Sequence, residues 1–208
     1  LIFMKEKWLQ WAAELQSIAQ AGLTFCNDSY DLDRYRQISD LSVEILHQYT
    51  EVSSEKIKDL FANETGYQTP KVDIRSAVFK DDSILLVRER VDGKWALPGG
   101  WADVNISPGE AAVKECYEEA GAKVTPKRII AIQLANRHVS KPLPFSIYKI
   151  FIECELLENN FIENTETLEA GFFRYDSLPE LSKGRNTKEQ IEMCFEARKM
   201  NVLEAHFD

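Results

Sequence analysis

The segment Gly99–Ala122, GGWADVNISPGEAAVKECYEEAGA, constrains this chain more than any other stretch. Two adjacent glycines allow a backbone bend to pass close to a ligand, and a helix with both ends marked follows. Ser107 is placed to cap its start, Pro108 suits the first helical position, and Glu110 completes an S-x-x-E capping box. Gly121 suits the left-handed residue that closes a helix. The predicted helix runs from about Pro108 to Ala120. Along it, Glu115, Glu118 and Glu119 stand at i, i+3 and i+4 and are surface neighbours. Three carboxylates so close repel one another unless a cation sits among them, and an all-oxygen set suits Mg²⁺ or Mn²⁺. At about 100° per residue, Val113, Cys116, Tyr117 and Ala120 are expected on the opposite face, with Ala111 and Ala112 leaving room beside the acids. Lys114, four residues before Glu118, is in reach of an ion pair with it. An E-x-x-E-E helix taken alone also describes a solvated acidic face. The strand-like run Ile84–Arg88 and the Trp-Ala-Leu-Pro-Gly-Gly turn ahead of the helix favour a phosphate-and-metal site instead.

Length and charge narrow the remaining possibilities. A chain of 208 residues has room for one good core plus an extra element, or for two small domains. The formal net charge of −9 argues against a dedicated nucleic-acid binder. It also means that a phosphate substrate must be attracted by bound metal and local cations rather than by the overall field. Cys26, Cys116, Cys154 and Cys194 form no C-x-x-C pair, which fits reduced thiols and a cytoplasmic location. His47, His138 and His206 are scattered, so no zinc site is expected. No apolar run approaches the roughly 20 residues that span a bilayer, and no membrane partner is expected. The apolar stretch Leu1–Met4 is too short for a signal peptide, and Met4 is a candidate internal start with Leu1–Phe3 as an extension.

The hydrophobic pattern changes once along the chain. Residues 1–66 read as helical, with Trp8, Trp11, Leu15 and Ile18 at helical spacing and Gly22 as a terminator. Asp28 or Asp31 caps a second helix that turns Leu32, Tyr35, Ile38, Ile45 and Tyr49 inward, and Ser53 or Ser54 opens a third carrying Ile57, Leu60 and Phe61. Three short helices invite a DNA-binding reading, but up to Pro70 acidic residues outnumber basic ones, so nucleic acid is not expected. Thr65–Pro70 reads as a linker. From residue 70 to 208 strands are predicted at Val72–Phe79, Ile84–Arg88, Arg128–Ala135, Ser146–Leu156 and Ala170–Tyr175, with Asp81–Ser83 as a hairpin turn. A last helix over about Lys188–Met200 is capped by Asn186 or Thr187. The predicted class is α+β: a mixed sheet between helices, preceded by a small all-helical region.

The segment from Gly100 resembles the Nudix box, G-x5-E-x7-R-E-U-x-E-E-x-G-U, in which U is a bulky aliphatic residue. Gly100, Glu115, Glu118, Glu119 and Gly121 match in register, and Lys114 stands where the family has Arg. Ile106 replaces the first Glu, and Cys116 and Ala122 replace the two U residues. The N-terminal stretches WLQWAAELQSIAQAGLTF and DLDRYRQISDLSVEIL are similar to the helical extension of a bacterial Nudix subgroup. Its members are called ADP-ribose pyrophosphatases, and a near relative type hydrolyses CDP-choline. The resemblance implies a Nudix α/β/α sandwich and a homodimer in which the extension forms the interface and part of the substrate pocket. It further implies a Mg²⁺- or Mn²⁺-dependent pyrophosphohydrolase giving a nucleoside monophosphate and a phosphorylated alcohol. Glu115 and Glu119 would be metal ligands, Glu118 a ligand, an orienting group or the base, and a Gly99 or Gly100 carbonyl a further ligand. The general base in such enzymes is often a glutamate before a late strand, which here points to Glu166 or Glu169.

Substrate contacts are read from residue type and place. Arg75, Arg88 and Arg90 on or near strands are candidates for phosphate, and Trp101 for stacking on a base. Asp103 is a candidate hydrogen-bond partner of the substrate or a loop cap, and His138 and Lys141 belong to a polar stretch that loops near the substrate. The departures at Ile106 and Lys114 motivate a second reading, a non-catalytic nucleotide sensor on the same fold. A third is a nucleoside triphosphate pyrophosphohydrolase.

Overall fold

The computed structural model describes residues 7–50, 53–58, 62, 64–138, 146–200 and 204–208. Met4, Leu60, Phe61 and Lys141 lie outside them. Two compact units divide near Pro70.

The first unit is helical, with α1 (Lys7–Phe25), α2 (Ser29–Tyr49) and a short α3 (Ser54–Ile57). Asp28 caps α2, its side chain accepting from the Tyr30 and Asp31 N–H groups. Leu9, Ala12, Val43, Leu46 and Ile57 form the unit's core. Trp11 and Ile18, two of the residues at helical spacing on α1, lie outside this core and are exposed. Tyr49 is likewise exposed and stacks on Trp8 at 5.2 Å. Gly22 does not end α1 either. A Cβ there would lie 2.3 Å from the Tyr35 ring, so Gly22 is the point of close approach between α1 and α2.

The second unit carries a seven-stranded mixed sheet with β1 (Lys71–Lys80), β2 (Ser83–Glu89), β3 (Trp95–Ala96), β4 (Ala122–Leu134), β5 (Ile147–Asn159), β6 (Thr167–Arg174) and β7 (His206–Phe207). The order is β3-β2-β1-β5-β4-β7, and β6 pairs with β2. β1 and β5 are parallel over nine residue pairs at the centre, whereas β1–β2, β2–β6 and β4–β5 are antiparallel. Helices α4 (Pro108–Ala120) and α5 (Lys188–Lys199) each pack on one of two apolar clusters that share the strands. One gathers Ile74, Val78, Leu85, Val87, Ala112 and Cys116, the other Ala77, Ile84, Leu86, Phe151, Ile191 and Cys194. Alternate residues of β2 therefore serve opposite faces, as a period of two requires. The arrangement is the helix–sheet–helix sandwich expected from the sequence.

The capping prediction for α4 matches in detail. Ser107 and Glu110 form a reciprocal box, and Gly121 closes the helix with φ 61°. Its buried face differs from expectation. Ala111, Ala112, Cys116, Glu119 and Ala120 are buried, whereas Val113 and Tyr117 are exposed. Ala111 and Ala112 are core residues rather than part of an open face beside the acids. Ile106 also packs against this core, so an apolar contact stands where the box has its first glutamate.

Candidate active site

The Pro-Gly-Gly bend is held by β1 on one side and α4 on the other. Ser76 N–H donates to the Pro98 carbonyl and Ile74 N–H to the Gly100 carbonyl, at 2.9 and 2.8 Å. Gly99 faces the helix, its N–H donating to Glu119 Oε2 at 2.8 Å. With φ 144°, and a Cβ that would fall 1.9 Å from the Ile74 carbonyl oxygen, position 99 admits only glycine. Gly100 brings its backbone against Glu115; a Cβ there would lie 3.2 Å from Oε2.

Bend and helix open onto a cleft of about 590 Å³. Gly99, Gly100, Trp101, Glu115, Glu119 and Glu166 line it. So do Glu89, Arg90, Val91, Thr165 and Arg185. Sequence reasoning did not find Glu89 or Arg185 and left Arg90 as one phosphate candidate among several. A second concavity of about 380 Å³, beside Phe79, Tyr175 and Phe195, holds none of the predicted residues.

The other predicted residues lie elsewhere, for identifiable reasons. Glu118 is half exposed and pairs with Lys114 at 3.2 Å, as its spacing predicts, so its carboxylate is turned from the cleft. The same Lys114 holds Asp103 at 3.0 Å and Glu115 at 3.8 Å, and Asp103 is not among the residues that line the cleft. Glu169 is exposed and faces Arg88 at 3.7 Å, and Arg88 donates to the Gly93 carbonyl. His138 bonds to Asp208 at 2.7 Å, away from the lining residues. Arg75 is neither a surface residue nor a phosphate contact. It is 1% exposed, pairs with Asp73 at 2.9 Å and donates to the Leu97 carbonyl. The Gly100 carbonyl accepts from Ile74 N–H, which leaves it a second lone pair for a further partner.

The carboxylates of the cleft are electrostatically strained. The Glu119 carboxyl is pushed up to about 8, first by burial and then by Glu89 and Glu115, against the pull of the Gly99 N–H and Arg75. Burial also raises Glu115, with Glu118 and Glu166 adding to it and Lys114 and Arg75 opposing. Beneath the cleft Lys149, 3% exposed, bonds to the Gly184 and Arg185 carbonyls and lies 3.5 Å from Asp73. Its burial lowers its pKa to about 8.

Comparison with known proteins places this site in a family. A NUDIX domain model matches residues 69–193, and a model described as a UDP-X-like, N-terminal oligomerisation domain matches residues 6–61. The chain is a Nudix hydrolase. It is 44% identical over 196 residues, 94% of each chain, to the Bacillus subtilis (strain 168) protein named "Putative ADP-ribose pyrophosphatase YjhB". A crystal structure titled UDP-X diphosphatase is 34% identical with a TM-score of 0.64, covering 97% of this chain and 98% of that one. Another, of an ADP-ribose pyrophosphatase from Streptococcus suis 89-1591, is 45% identical with a TM-score of 0.63, covering 67% of this chain and all of that one.

Nudix hydrolases use divalent metal ions, and the donor chemistry of this cleft can be judged against that need. Among the described residues no three His, Cys, Asp or Glu side chains converge into a ready-made cage. Glu119 is drawn back onto Gly99 and Glu118 onto Lys114. The chemistry of the lining nevertheless fits a hard cation. Its acidic donors are all carboxylates, those of Glu89 and Glu115 raise the pKa of Glu119, and among the described residues the buried Glu89 Oε1 has no hydrogen-bond partner. Among the described residues no helix is long and apolar enough to cross a membrane.

Proposed function

We propose that this Nudix hydrolase cleaves the diphosphate of a nucleoside diphosphate linked to another moiety, with Mg²⁺ as its ion. The observation that carries the reading is the meeting of Glu115, Glu119 and Glu166 with the Gly99–Gly100 bend in one cleft. ADP-ribose and UDP-linked compounds come first as substrates because the full-length relatives are named for them; CDP-choline is the third candidate.

Glu115 and Glu119 would hold the ion, with Glu89 and a carbonyl of the Gly99–Gly100 bend as further oxygens of the same cleft. Bound there, it supplies Lewis acidity that offsets the charge of the diphosphate. The glycine bend admits the phosphates close to the backbone, and Trp101 walls the cleft where a base or sugar would lie. Glu166 accepts the proton of the water that attacks phosphorus. The bond from that phosphorus to the bridging oxygen breaks, leaving a nucleoside monophosphate and a phosphorylated alcohol. Of the other sequence candidates for the base, Glu169 faces Arg88 and Glu118 pairs with Lys114, and neither lines the cleft.

The helical unit is proposed to join two copies. Trp11, Ile18 and Phe25 recur every seven residues along α1 and are 58%, 49% and 68% exposed, a seam of the kind helices bury against a partner.

A panel of ADP-ribose, UDP-glucose and CDP-choline with Mg²⁺ or Mn²⁺, read by identifying the monophosphate released, tests the reaction. Turnover of at least one is expected, and turnover of none defeats the reading. Glu166→Gln should lower kcat by about 10²-fold or more, whereas Glu169→Gln should stay within about threefold. Equal losses in both would remove Glu166 from the role of base.

A further inference from the structure

We propose that Arg185 is the residue that grips a phosphate of the substrate, and that in the free enzyme it is parked on Glu89. The inference rests on the diphosphate reading above and adds to it a specific contact that the sequence did not reveal.

A diphosphate entering this cleft meets four lining carboxylates in a chain of net charge −9. Some cation of the protein must face it. Arg75 and Lys149 are buried beneath the cleft and engaged with Asp73, and neither lines it. Two lining residues are cationic, Arg90 and Arg185. Arg90 is committed: its Nη2 donates to Glu163 at 2.7 Å and to the Asn164 carbonyl at 2.8 Å. Among the described residues the Arg185 guanidinium bonds only to Glu89 Oε2, at 3.4 Å, longer than a good charge-assisted bond; the Asp92 carboxylate also feels its charge, and its side chain is 40% exposed.

The backbone under Arg185 is fixed while its head group is loosely held. Asn186 accepts from Leu97 N–H at 2.8 Å and so ties the loop to the stretch that leads into the glycine bend. Arg185 N–H donates to the Ser182 carbonyl, Ser182 Oγ to Asp92 at 2.7 Å, and Lys149 holds the Gly184 and Arg185 carbonyls from below. A planar guanidinium on a rigid base is suited to two parallel bonds with phosphate oxygens. Exchanging Glu89 for phosphate also releases the Glu89 carboxylate, one oxygen of which is already without a partner. Glu89 is then a placeholder for the anion that Arg185 is built to receive.

The test uses the full chain, its Arg185→Gln and Arg185→Lys variants, and Arg174→Gln, an exposed arginine paired with Asp176, as a control outside the cleft. Steady-state kinetics on the compound found by the panel are paired with calorimetric titration by methylenediphosphonate and Mg²⁺, a probe with no base and no scissile bridge. Arg185→Gln should raise KM and weaken the probe by about 10- to 100-fold, the loss of a charge-assisted bond. Its kcat should stay within about threefold and its melting midpoint within about 2 °C of wild type. Arg185→Lys should recover part of the affinity, and Arg174→Gln should match wild type. Unchanged KM and probe affinity in Arg185→Gln would overturn the proposal. So would a loss of kcat and melting midpoint without a change in affinity, since a merely structural role predicts that pattern. Probe binding that depends on Arg185 in a protein that turns over nothing would uphold this contact while sinking the hydrolytic reading. Turnover with an indifferent Arg185 would do the reverse.

Discussion

Glu119 is 7% exposed, and burial among other carboxylates pushes its pKa from 4.5 to about 8. The folded protein therefore holds this proton over a range in which the unfolded chain has lost it. The resulting contribution to stability is fully present below pH 4.5 and is lost as pH rises through about 8. The ion-free protein should melt lower at pH 8.5 than at pH 5.5 on this account. Glu119→Gln keeps an oxygen for the Gly99 N–H and removes the buried charge. Its ion-free melting midpoint at pH 8.5 should exceed wild type by about 2–4 °C, the equivalent of about 1 kcal/mol. Added Mg²⁺ should raise the wild-type midpoint and leave that of Glu119→Gln unmoved, and turnover should fall by orders of magnitude. Differential scanning calorimetry at the two pH values, with and without the ion, checks all of this; a midpoint lower than wild type at pH 8.5 would contradict it. Glu115 and Glu119 were legible in the sequence because their spacing is local. Glu89 had a signal that went unread: Leu85, Val87 and Glu89 share one parity of β2, and the first two face α4. The same parity turns Arg88 to the opposite face. Arg75 was misjudged because its partners, Asp73, Leu97 and Glu119, converge only after the sheet and bend have assembled.

Among the elements, the glycine bend tolerates the least change. Gly99→Ala must fit a Cβ 1.9 Å from the Ile74 carbonyl at a positive φ, which backbone on both sides forbids. We expect it to cost about 3 kcal/mol or more in chemical denaturation. Gly100→Ala meets only the end of the Glu115 side chain, so it should fold and lose ion affinity instead. Equal stability of the two variants would refute the asymmetry. Helix α4 was readable to the residue at both ends, because capping is short-range chemistry. The two-residue strands β3 and β7 left no periodicity to read. In α1 the pattern misled. Two stripes run along that helix, and α2 packs on the one rich in small residues, Ala12 and Ala19, with Gly22 against Tyr35. The large apolar residues Trp11 and Ile18 were left outside.

For the molecule as a whole, that stripe bears on assembly. Trp11→Glu combined with Ile18→Glu should convert a dimer to a monomer in light scattering behind size exclusion, with helix content unchanged by circular dichroism. A wild type that is monomeric at micromolar concentration would dispose of the seam. The α+β class, the order of most elements and the helical start were all evident from pattern and punctuation. What escaped was long-range: the loop that carries Arg185 lies 89 residues from the Leu97 it is tied to through Asn186.

The parallel pair β1–β5 supplies no residue to the lining of the cleft. Apart from α4 and Glu89 at the end of β2, every lining residue belongs to a connecting segment, at 90–91, 99–101, 165–166 or 185. Connectors accept insertions and exchanges that strands do not. A lineage with this scaffold is therefore free to drift toward new leaving groups by rewriting a few surface turns, while the acid-bearing helix passes unchanged from one descendant to the next.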